Sequence, residues 1–402
     1  MSNVNITQDQ GLSAEMRVFY SDYLIDNAVP KLVHDQFGQK HPIPKNGGKT
    51  IQFRKFSPLA KAVTPLIEGV TPDGQKLNVS TVEATVKQYG RYIEMSDMLI
   101  LTSIDNNIVQ ATKLLGNQAG ATLDTITREV LSGGTNVQYA VGQVAARHLL
   151  TGGEDAGNHY MTVDSIRRAA RYLKTQNAEK IGDSYVAIIH PDISYDLMND
   201  PAWQNVKTYC DPKDMYEGEI GKLAGVRFVE TTEAKIFKGE GLTVGARDLT
   251  VKTAAASGSV TVAVNEAILA GEAEKLAGRY VIIGGYRHKI TSAQSGSAGS
   301  ASLTLESAAV QAVGDKVYPG EGGAKGRAVY STLVLGENAY GVTEVQGGGL
   351  RHIVKQLGSS GTADPLDQRG SCGWKAVRTA ERLVESFMVR IETCSTFDGD
   401  AN

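Results

Sequence analysis

The chain is poor in cysteine and has no long hydrophobic run, and each shortage excludes a class of protein. Its 402 residues include only Cys210, Cys372 and Cys394. An odd number of widely spaced cysteines predicts neither a disulfide framework nor a zinc site, and favours folding in a reducing compartment. No stretch approaches the roughly 18 apolar residues of a membrane-spanning helix. The N-terminal stretch MSNVNITQDQGLSAEM lacks the basic and apolar segments of a signal peptide.

Charge is also nearly balanced. The net charge is -3, so the whole chain produces no field that would attract nucleic acid or an anionic membrane. Hydrophobic residues make up 41% and charged residues 21%, as in ordinary soluble globular proteins. Glycine is abundant, with 44 residues, whereas proline is scarce, which favours turns over disordered linkers. The length allows two or three domains.

No motif predicts a catalytic residue, a cofactor or a metal ion. The triplet His190-Pro191-Asp192 is the most motif-like, but a single histidine at the end of a strand is more often structural. The glycine clusters lack the GK[ST] of a phosphate-binding loop, and the histidines lack metal-ligand spacing. Because catalytic residues can assemble from distant parts of a chain, a hydrolase using His190 or His352 remains an alternative.

The N-terminal region predicts a kinked helix over 12–37. Ser13 is a suitable N-cap, and Pro30 should kink the helix because it removes one hydrogen bond. The apolar side of this helix would consist of Leu24, Ile25, Ala28, Leu32 and Val33.

The stretch LIEGVTPDGQKLNVSTVEATVKQYG, residues 66–90, predicts a long hairpin. The turn signal Pro72-Asp73-Gly74 lies between two extended arms that contain few apolar residues. An arm of a dozen residues reaches roughly 40 Å. An isolated two-stranded ribbon is marginal in water because it has no buried face. We therefore predict that a neighbouring subunit covers this hairpin.

Helical patterns and short strands follow. The periodicity of DNNIVQATKLLGNQAGATLDTITREVLSGG predicts one long helix, capped by Asp105. A second helix begins after Thr162, a strand covers 185–190, and a third helix begins at Pro191. The second helix has a basic side for which a solvated surface or an acidic neighbour is favoured over nucleic acid. Its members are Arg167, Arg168, Arg171 and Lys174.

Residues 239–323 have a different texture. Short apolar runs such as SVTVAV and ASLTLES alternate with clusters of glycine, serine and alanine. This pattern predicts a small all-β module inserted into a mixed α/β domain, with KGEG and GEGGAKG as hinges. A host-surface or glycan-binding role for this module is an alternative. Near the C-terminus, apolar residues between Val384 and Ile391 predict a closing strand.

Long stretches of the chain resemble the major capsid proteins of tailed bacteriophages, and more closely the phage N4-type major capsid family. They are LIEGVTPDGQKL, ATVKQYGRYIEMSD, LGNQAGATLDTITREVLSGGTNVQYA, HPDISYDLMNDPAW, GEIGKLAGVRFVETTEAKIF, AYGVTEVQGGGLRHIVKQLGSSGTADPLDQRGSCGWKA and MVRIE. The resemblance covers about 60–237 and 328–392, whereas 239–323 departs from the family pattern.

The resemblance implies an α+β fold of the Hong Kong 97 type. Its parts would be an N-terminal arm (1–48), an extended β-hairpin loop (49–90), a peripheral domain (91–180) with a spine helix (105–132), an axial domain (181–238 and 324–370), an inserted β-rich domain (239–323), and a return strand with the C-terminus (371–402).

The resemblance also implies a function. The chain would be a major capsid protein, a structural subunit without enzymatic activity that self-assembles from hexamers and pentamers into an icosahedral shell. The shell would enclose phage double-stranded DNA without sequence-specific binding. Scaffold, portal and decoration proteins would be further partners, and no membrane is involved. The protein would be located in the virion capsid, after assembly in the host bacterial cytoplasm.

Inter-subunit contacts are expected in two places. Hairpin residues would set the register with a neighbour, and two residues of the spine helix would form charged contacts. These residues are Glu68, Pro72, Asp73, Gly74, Lys76, Lys87, Arg128 and Glu129. No carboxylate is marked as a catalyst of covalent crosslinking, so we expect non-covalent assembly. A nanocompartment shell of the encapsulin type is an alternative, which a cargo enzyme and a lack of DNA would distinguish.

Overall fold

The computed structural model describes residues 4–5, 33–56, 74–102, 107–140, 144–153, 157–204, 221–346, 348–355 and 366–402, with further residues at 59, 61–65, 68–69, 71, 357 and 364. The chain divides into two compact units. The first comprises Met1–Leu131 and Asn338–Val384, and the second comprises Ser132–Glu337 and Glu385–Asn402.

The described residues contain both helices and strands in a mixed α/β fold. The strands are β1 (Val4–Asn5), β2 (Gln39–Lys40), β3 (Thr50–Phe56), β4 (Val79–Thr85), β5 (Lys87–Ser96), β6 (Val137–Tyr139), β7 (Tyr185–Ile189), β8 (Lys222–Leu223), β9 (Val226–Glu230), β10 (Ile236–Phe237), β11 (Leu249–Thr250), β12 (Ala255–Ala263), β13 (Tyr280–Ile283), β14 (Tyr286–Gln294), β15 (Ser302–Gln311), β16 (Lys316–Pro319), β17 (Val329–Leu335), β18 (Tyr340–Glu344), β19 (Arg351–Lys355), β20 (Arg369–Arg382) and β21 (Met388–Thr393). The α-helices are α1 (Asp97–Thr102), α2 (Asn107–Ser132), α3 (Val163–Thr175), α4 (Pro191–Met198) and α5 (Ala270–Leu276).

The first unit is built around α2 and β20. Its main sheet has the order β1-β5-β20-β18-β2, and β19 also pairs with β20. On α2, apolar residues at a spacing of four form one side that packs on the sheet. These residues are Leu115, Ala119 and Leu123, and their partners on β20 are Cys372, Trp374 and Ala376. The predicted long helix is therefore confirmed from Asn107 onwards, and the predicted cap Asp105 lies outside the described residues.

Strand β20 has 14 residues and overlaps the segment 371–402, for which the family resemblance implied a return strand, but the residue pattern indicated no strand before Val384. Its sequence, RGSCGWKAVRTAER, contains few of the β-branched and aromatic residues that signal a strand. The small residues have a structural reason. A Cβ atom on Gly373 would lie 2.8 Å from the Cβ of Tyr92 on β5, so only glycine fits at this crossing.

The predicted helix over 12–37 is wrong in its last turn. Residues 33–37 form a turn and bends, and residues 12–32 lie outside the described part of the chain. A long-range contact explains the difference. The backbone N–H of His34 donates to Asp124 Oδ1 at 2.8 Å, so it is directed at α2 and not at a preceding helical turn.

The second unit contains a sheet of the order β6-β21-β17-β7-β9-β8, with β10 on β17. The predicted strand at 185–190 is confirmed as β7, and the predicted helix at Pro191 is confirmed as α4. Thr162 caps α3, as its hydroxyl accepts a hydrogen bond from the N–H of Ser165 at 3.4 Å. On its buried side, α3 packs Ile166, Ala169, Ala170 and Leu173 into the apolar core of this sheet. The closing strand predicted from the C-terminal pattern is present as β21.

Strands are present between 239 and 323 as predicted, but the helix α5 lies among them and packs Leu276 into the same core, so the prediction of an all-β module is wrong. The strands form a six-stranded sheet of the order β11-β16-β13-β14-β15-β12. Antiparallel pairing joins these strands. A separate apolar core lies against this sheet and includes Leu249, Val262, Val281, Ile290 and Leu303.

The flanks of this region are packed, and their role as hinges stays a prediction. A Cβ atom on Gly323 would lie 2.7 Å from the carbonyl oxygen of Leu150. The N–H of Gly323 also donates to the carbonyl of Arg327 at 2.8 Å. Glycine is needed here because the neighbouring backbone leaves no room for a Cβ atom.

We predict that Gly323→Ala lowers the free energy of unfolding by about 1–3 kcal/mol, because the added methyl group meets backbone atoms that cannot rotate away. Gly245→Ala is the matched control, since no atom lies within 4 Å of its Cβ position. Thermal unfolding of the two variants measures the difference. Equal melting temperatures would contradict the packed arrangement of the flanks.

Candidate assembly surface

Strands β3 and β4 form an antiparallel ribbon in the first unit. The ladder runs from Thr50 opposite Thr85 to Phe56 opposite Val79. No third strand pairs with either one among the described residues. Within that part of the chain, the ribbon therefore has no hydrogen-bonded neighbour on its outer edges.

The predicted arms of the hairpin are wrong in position. Residues 74–78 form no strand, and the paired strands lie further from the turn signal than expected. The two strands are rich in β-branched and aromatic residues, whereas GQKLN at 74–78 is mostly polar, and this composition explains where pairing stops. Pro72 and Asp73 lie outside the described residues.

One end of the ribbon is anchored in the first unit. The ring of Phe53 lies edge-on to His41, with centroids 5.8 Å apart. A Cβ atom on Gly341 would lie 3.0 Å from the Phe53 ring. The absence of a side chain at Gly341 therefore allows the ring to pack against β18. On β4, Ala84 is buried. A cavity of about 550 Å³ adjoins this anchor, with Leu383 in its wall.

The other end carries exposed apolar side chains. Val63 is 81% exposed and Leu77 is 62% exposed, both in the connection between the strands. Leu59 and Val79 are exposed as well. Large apolar side chains that remain exposed close together in the sequence are candidates for contact with another molecule. We call the residues 57–79 at this end the hairpin tip.

The predicted contact residues do not all lie on the hairpin tip. Glu68, Gly74 and Lys76 do, and they are exposed. Lys87 does not, because it is the first residue of β5 and is paired with Arg378 of β20. The prediction that Lys87 belongs to the hairpin is therefore wrong. Its strand joins the main sheet immediately after Val86, whose N–H donates to the carbonyl of Lys49 at 2.9 Å.

The two predicted contact residues of α2 differ in burial. The side chain of Arg128 is only 2% exposed, and its Nη2 lies 2.9 Å from Glu129 Oε1. Arg128 is therefore part of the subunit interior, and the prediction that it contacts a neighbour is wrong. Glu129 is exposed, and its contact with a neighbour stays a prediction.

A buried polar cluster holds the segment before β2 against α2. The Nδ1 atom of His34 lies 2.7 Å from Asp124 Oδ2, and both side chains are fully buried. Thr127 donates to Asp35 at 2.6 Å, and Arg378 lies 2.7 Å from the same carboxylate. Burial raises the pKa of Asp35, although the Arg378 guanidinium acts to lower it. Sequence reasoning missed this cluster; the available signal was two polar residues three apart on α2, at 124 and 127.

The histidines of the enzyme alternative have structural partners. His190 caps α4, because its Nδ1 accepts a hydrogen bond from the N–H of Asp192 at 3.2 Å. Asp192 accepts in turn from the hydroxyl of Tyr330 at 2.6 Å. Burial lowers the pKa of His190, against the opposing effect of the Asp192 carboxylate. His352 Nε2 lies 3.1 Å from the sulfur of Cys372, which is buried.

In the part of the chain that the structure describes, no three His, Cys, Asp or Glu side chains are grouped as metal ligands. Within the same part, no helix has the length and apolar character needed to span a membrane.

In comparisons with known proteins, the chain is similar to phage capsid proteins. Residues 79–272, just under half of the chain, match the model of a family described as phage capsid protein. The match begins at the first residue of β4 and includes α2, the neighbouring sheet strands β7 and β9, and part of the β-rich region. No curated protein sequence matches the chain.

Solved structures of phage capsids have the same fold over almost the whole chain. The capsid of cyanophage P-SCSP1u superposes with a TM-score of 0.58 at 11% identity, covering 96% of this chain and 94% of that one. The capsid of Ralstonia phage GP4 gives a TM-score of 0.53 at 12% identity and covers 96% of each chain. Cyanophage Pam1 gives 0.53 at 12% identity, covering 95% and 94%. At these identities the likeness defines the fold, which is the mixed α/β fold of phage capsid structures.

We predict that Asp124→Ala lowers the free energy of unfolding by about 3–5 kcal/mol, because it leaves His34 buried without its partner. Leu114→Ala, at a position of the same helix that is 51% exposed, should change it by less than about 1 kcal/mol. Chemical denaturation of both variants measures the two effects. Similar stabilities for the two variants would show that the buried cluster does not hold this segment to α2.

Proposed function

We infer that this chain is a major capsid protein, the structural subunit that forms the icosahedral shell of a bacteriophage. The match of residues 79–272 to the phage capsid family carries this conclusion. The capsid fold extends over the rest of the chain and agrees with it. The protein therefore functions as a structural component of the virion capsid.

We further propose that the fold is of the Hong Kong 97 type and that the chain is related to the phage N4-type family. The stretches quoted above support this assignment. In this proposal α2 is the spine helix of the peripheral domain, and β3, β4 and the hairpin tip form the extended loop. Residues 181–238 and 324–370 belong to the axial domain, and residues 239–323 are an inserted domain. The segment before residue 49 is the N-terminal arm, and 371–402 return to the peripheral domain.

In the assembled shell, the hairpin tip lies on a neighbouring subunit. The ribbon is anchored at Phe53, and the far end exposes Val63 and Leu77. Glu68, Pro72, Asp73, Gly74 and Lys76 adjoin these apolar residues and set the register with the neighbour. Each contact is modest, and a closed shell repeats it many times, so that weak contacts together hold a stable container.

The shell encloses double-stranded DNA without reading its sequence. The net charge of -3 suits a wall that holds DNA without binding it tightly. Hexamers and pentamers of this chain form the wall in the host bacterial cytoplasm, and scaffold, portal and decoration proteins act with them. No enzymatic activity is needed for this role, and the capping contact of His190 gives that residue a structural purpose.

Sedimentation velocity of the purified chain, followed by electron microscopy of the fast fraction, tests the proposed function. We expect large particles of uniform size, produced alone or in the presence of the scaffold of the same phage. Nuclease-protected DNA in particles from infected cells distinguishes a phage head from a nanocompartment. A chain that stays monomeric under both conditions would contradict the proposal.

We predict that Leu77→Asp reduces the yield of particles at least about tenfold, since each copy would bury a charge at its contact with the neighbour. The melting temperature of the unassembled subunit should not change, because Leu77 is exposed there. Val244→Asp is the matched control, since Val244 is 93% exposed and lies in the second unit. Particle yield and melting temperature are measured for both. Unchanged yield in Leu77→Asp would exclude the hairpin tip as a contact.

A further inference from the structure

A concave, positively charged surface lies in the second unit between α3 and the turn that joins β8 to β9. Its volume is about 650 Å³. Arg167, Arg171 and Lys174 line it on the helix side. Ala224 and Gly225 line it on the side of the turn. We call this surface the cationic groove.

The cations share one side of α3 because of their spacing. Steps of four and three residues return to the same side of a helix. The opposite side of α3 is buried in the core through Ile166 and Leu173. Over seven residues, Arg167 and Lys174 are separated by about 10 Å along the helix axis. The groove therefore presents a row of positive charges and not a single point.

These three cations have no carboxylate partner within the described parts of the chain. Other arginines of this unit do have one. Arg168, their neighbour on α3, lies 2.7 Å from Asp164, and Arg147 lies 2.7 Å from the buried Glu392. Unpaired like charges around a concave surface repel each other, and an anionic partner would relieve that repulsion.

The floor of the groove is made of small residues. Ala170 lies beneath the cations on α3, and the turn contributes Ala224 and Gly225. Ala224 has a φ of +53° and Gly225 has a φ of +82°. Asparagine before glycine is the usual choice for such a turn, because residues other than glycine and asparagine rarely adopt a positive φ. Neither Ala224 nor Gly225 has a side chain long enough to fill the groove.

The chain itself contains an acidic segment of suitable composition. Residues 205–220 lie outside the described parts, between α4 and β8, and read NVKTYCDPKDMYEGEI. The acidic residues Asp211, Asp214, Glu217 and Glu219 outnumber Lys207 and Lys213, so the segment has a net charge of -2. Asp214 and Glu217 are separated by at most about 10 Å of chain, which matches the row of cations.

We propose that the cationic groove of one subunit binds the acidic segment 211–219 of a neighbouring copy. The inference rests on the proposed function, in which copies of this chain surround one another in rings. Every copy then carries both halves of a head-to-tail contact, and such contacts close into rings. Both halves adjoin β8, the edge strand of this sheet. A double helix binds through phosphates spread over a broad surface, whereas a cavity of this size suits a few carboxylate side chains.

A charge exchange in the full-length chain tests the proposal. Arg171→Glu and Asp214→Lys should each reduce the fraction of assembled protein at least about tenfold, since each places like charges together. The double variant Arg171→Glu with Asp214→Lys should recover most of the assembly of the unchanged chain. Lys180→Glu is the matched control, because this exposed lysine lies outside the groove and should leave assembly unchanged.

A disulfide test identifies which copy supplies the segment. One preparation carries Cys210→Ser with Lys174→Cys, and a second carries Cys210→Ser with Glu217→Cys. Mixing them before assembly and oxidising the particles should give a covalent dimer. A chain carrying both cysteines that forms only an intrachain disulfide would overturn the proposal, because its own segment would then occupy the groove.

Three other results would contradict the binding of the acidic segment to the cationic groove, and they show whether the proposed function fails with it. If Arg171→Glu assembles like the unchanged chain, the inference is wrong and the capsid function stands. If that variant assembles normally but loses binding to double-stranded DNA, the groove binds nucleic acid and the inference is again wrong. If the unchanged chain forms no oligomer even with its scaffold, the proposed function and the inference are both wrong.

Discussion

A two-stranded ribbon has no interior in which to bury its own side chains. The ribbon of the first unit therefore depends on other surfaces for its packing. Strands β3 and β4 satisfy each other's backbone hydrogen bonds on one edge only, and few of their side chains are buried in the first unit. Phe53 provides an anchor at the base through His41 and Gly341. At the hairpin tip, Val63 and Leu77 remain exposed. In the proposed assembly, a neighbouring copy supplies an apolar surface to every tip.

The anchor is effective only if the body behind it is rigid. In the first unit, rigidity comes from α2 packed on β20, where glycine and small residues allow close approach of strands. The buried contact of His34 with Asp124 fixes the segment leading into β2 to the same helix. Polar groups in such a position are costly to separate, so they define one arrangement and disfavour alternatives. In the proposed assembly, this arrangement keeps the base of the hairpin in a constant orientation within its unit.

Local signals in the sequence predicted much of the fold. Helix α2 followed from its periodicity, and α3 and α4 from Thr162 and Pro191 at their starts. Long-range contacts produced the errors. The contact between His34 and Asp124 spans 90 positions, so no local pattern predicts the turn that replaces helix there. The residue pattern did not indicate strand β20, because close neighbours require small residues such as Gly373 in it, and only the family resemblance implied a strand in this segment. For the candidate site, the hairpin was predicted but its paired strands were misplaced, and a charge pattern alone did not distinguish buried Arg128 from exposed Glu129.

The central claim is that a neighbouring copy covers the hairpin tip. Crosslinking with mixed isotopes tests it most directly. Normal subunits and subunits fully labelled with 15N are mixed before assembly, and the particles are treated with a short lysine-reactive crosslinker. Mass spectrometry then identifies the peptides joined to Lys76. For subunits mixed in equal amounts, the account predicts that pairs joining one normal and one labelled peptide are as abundant as the normal–normal and labelled–labelled pairs together. If Lys76 forms crosslinks only within single-label pairs, the tip packs on its own chain and the account is wrong.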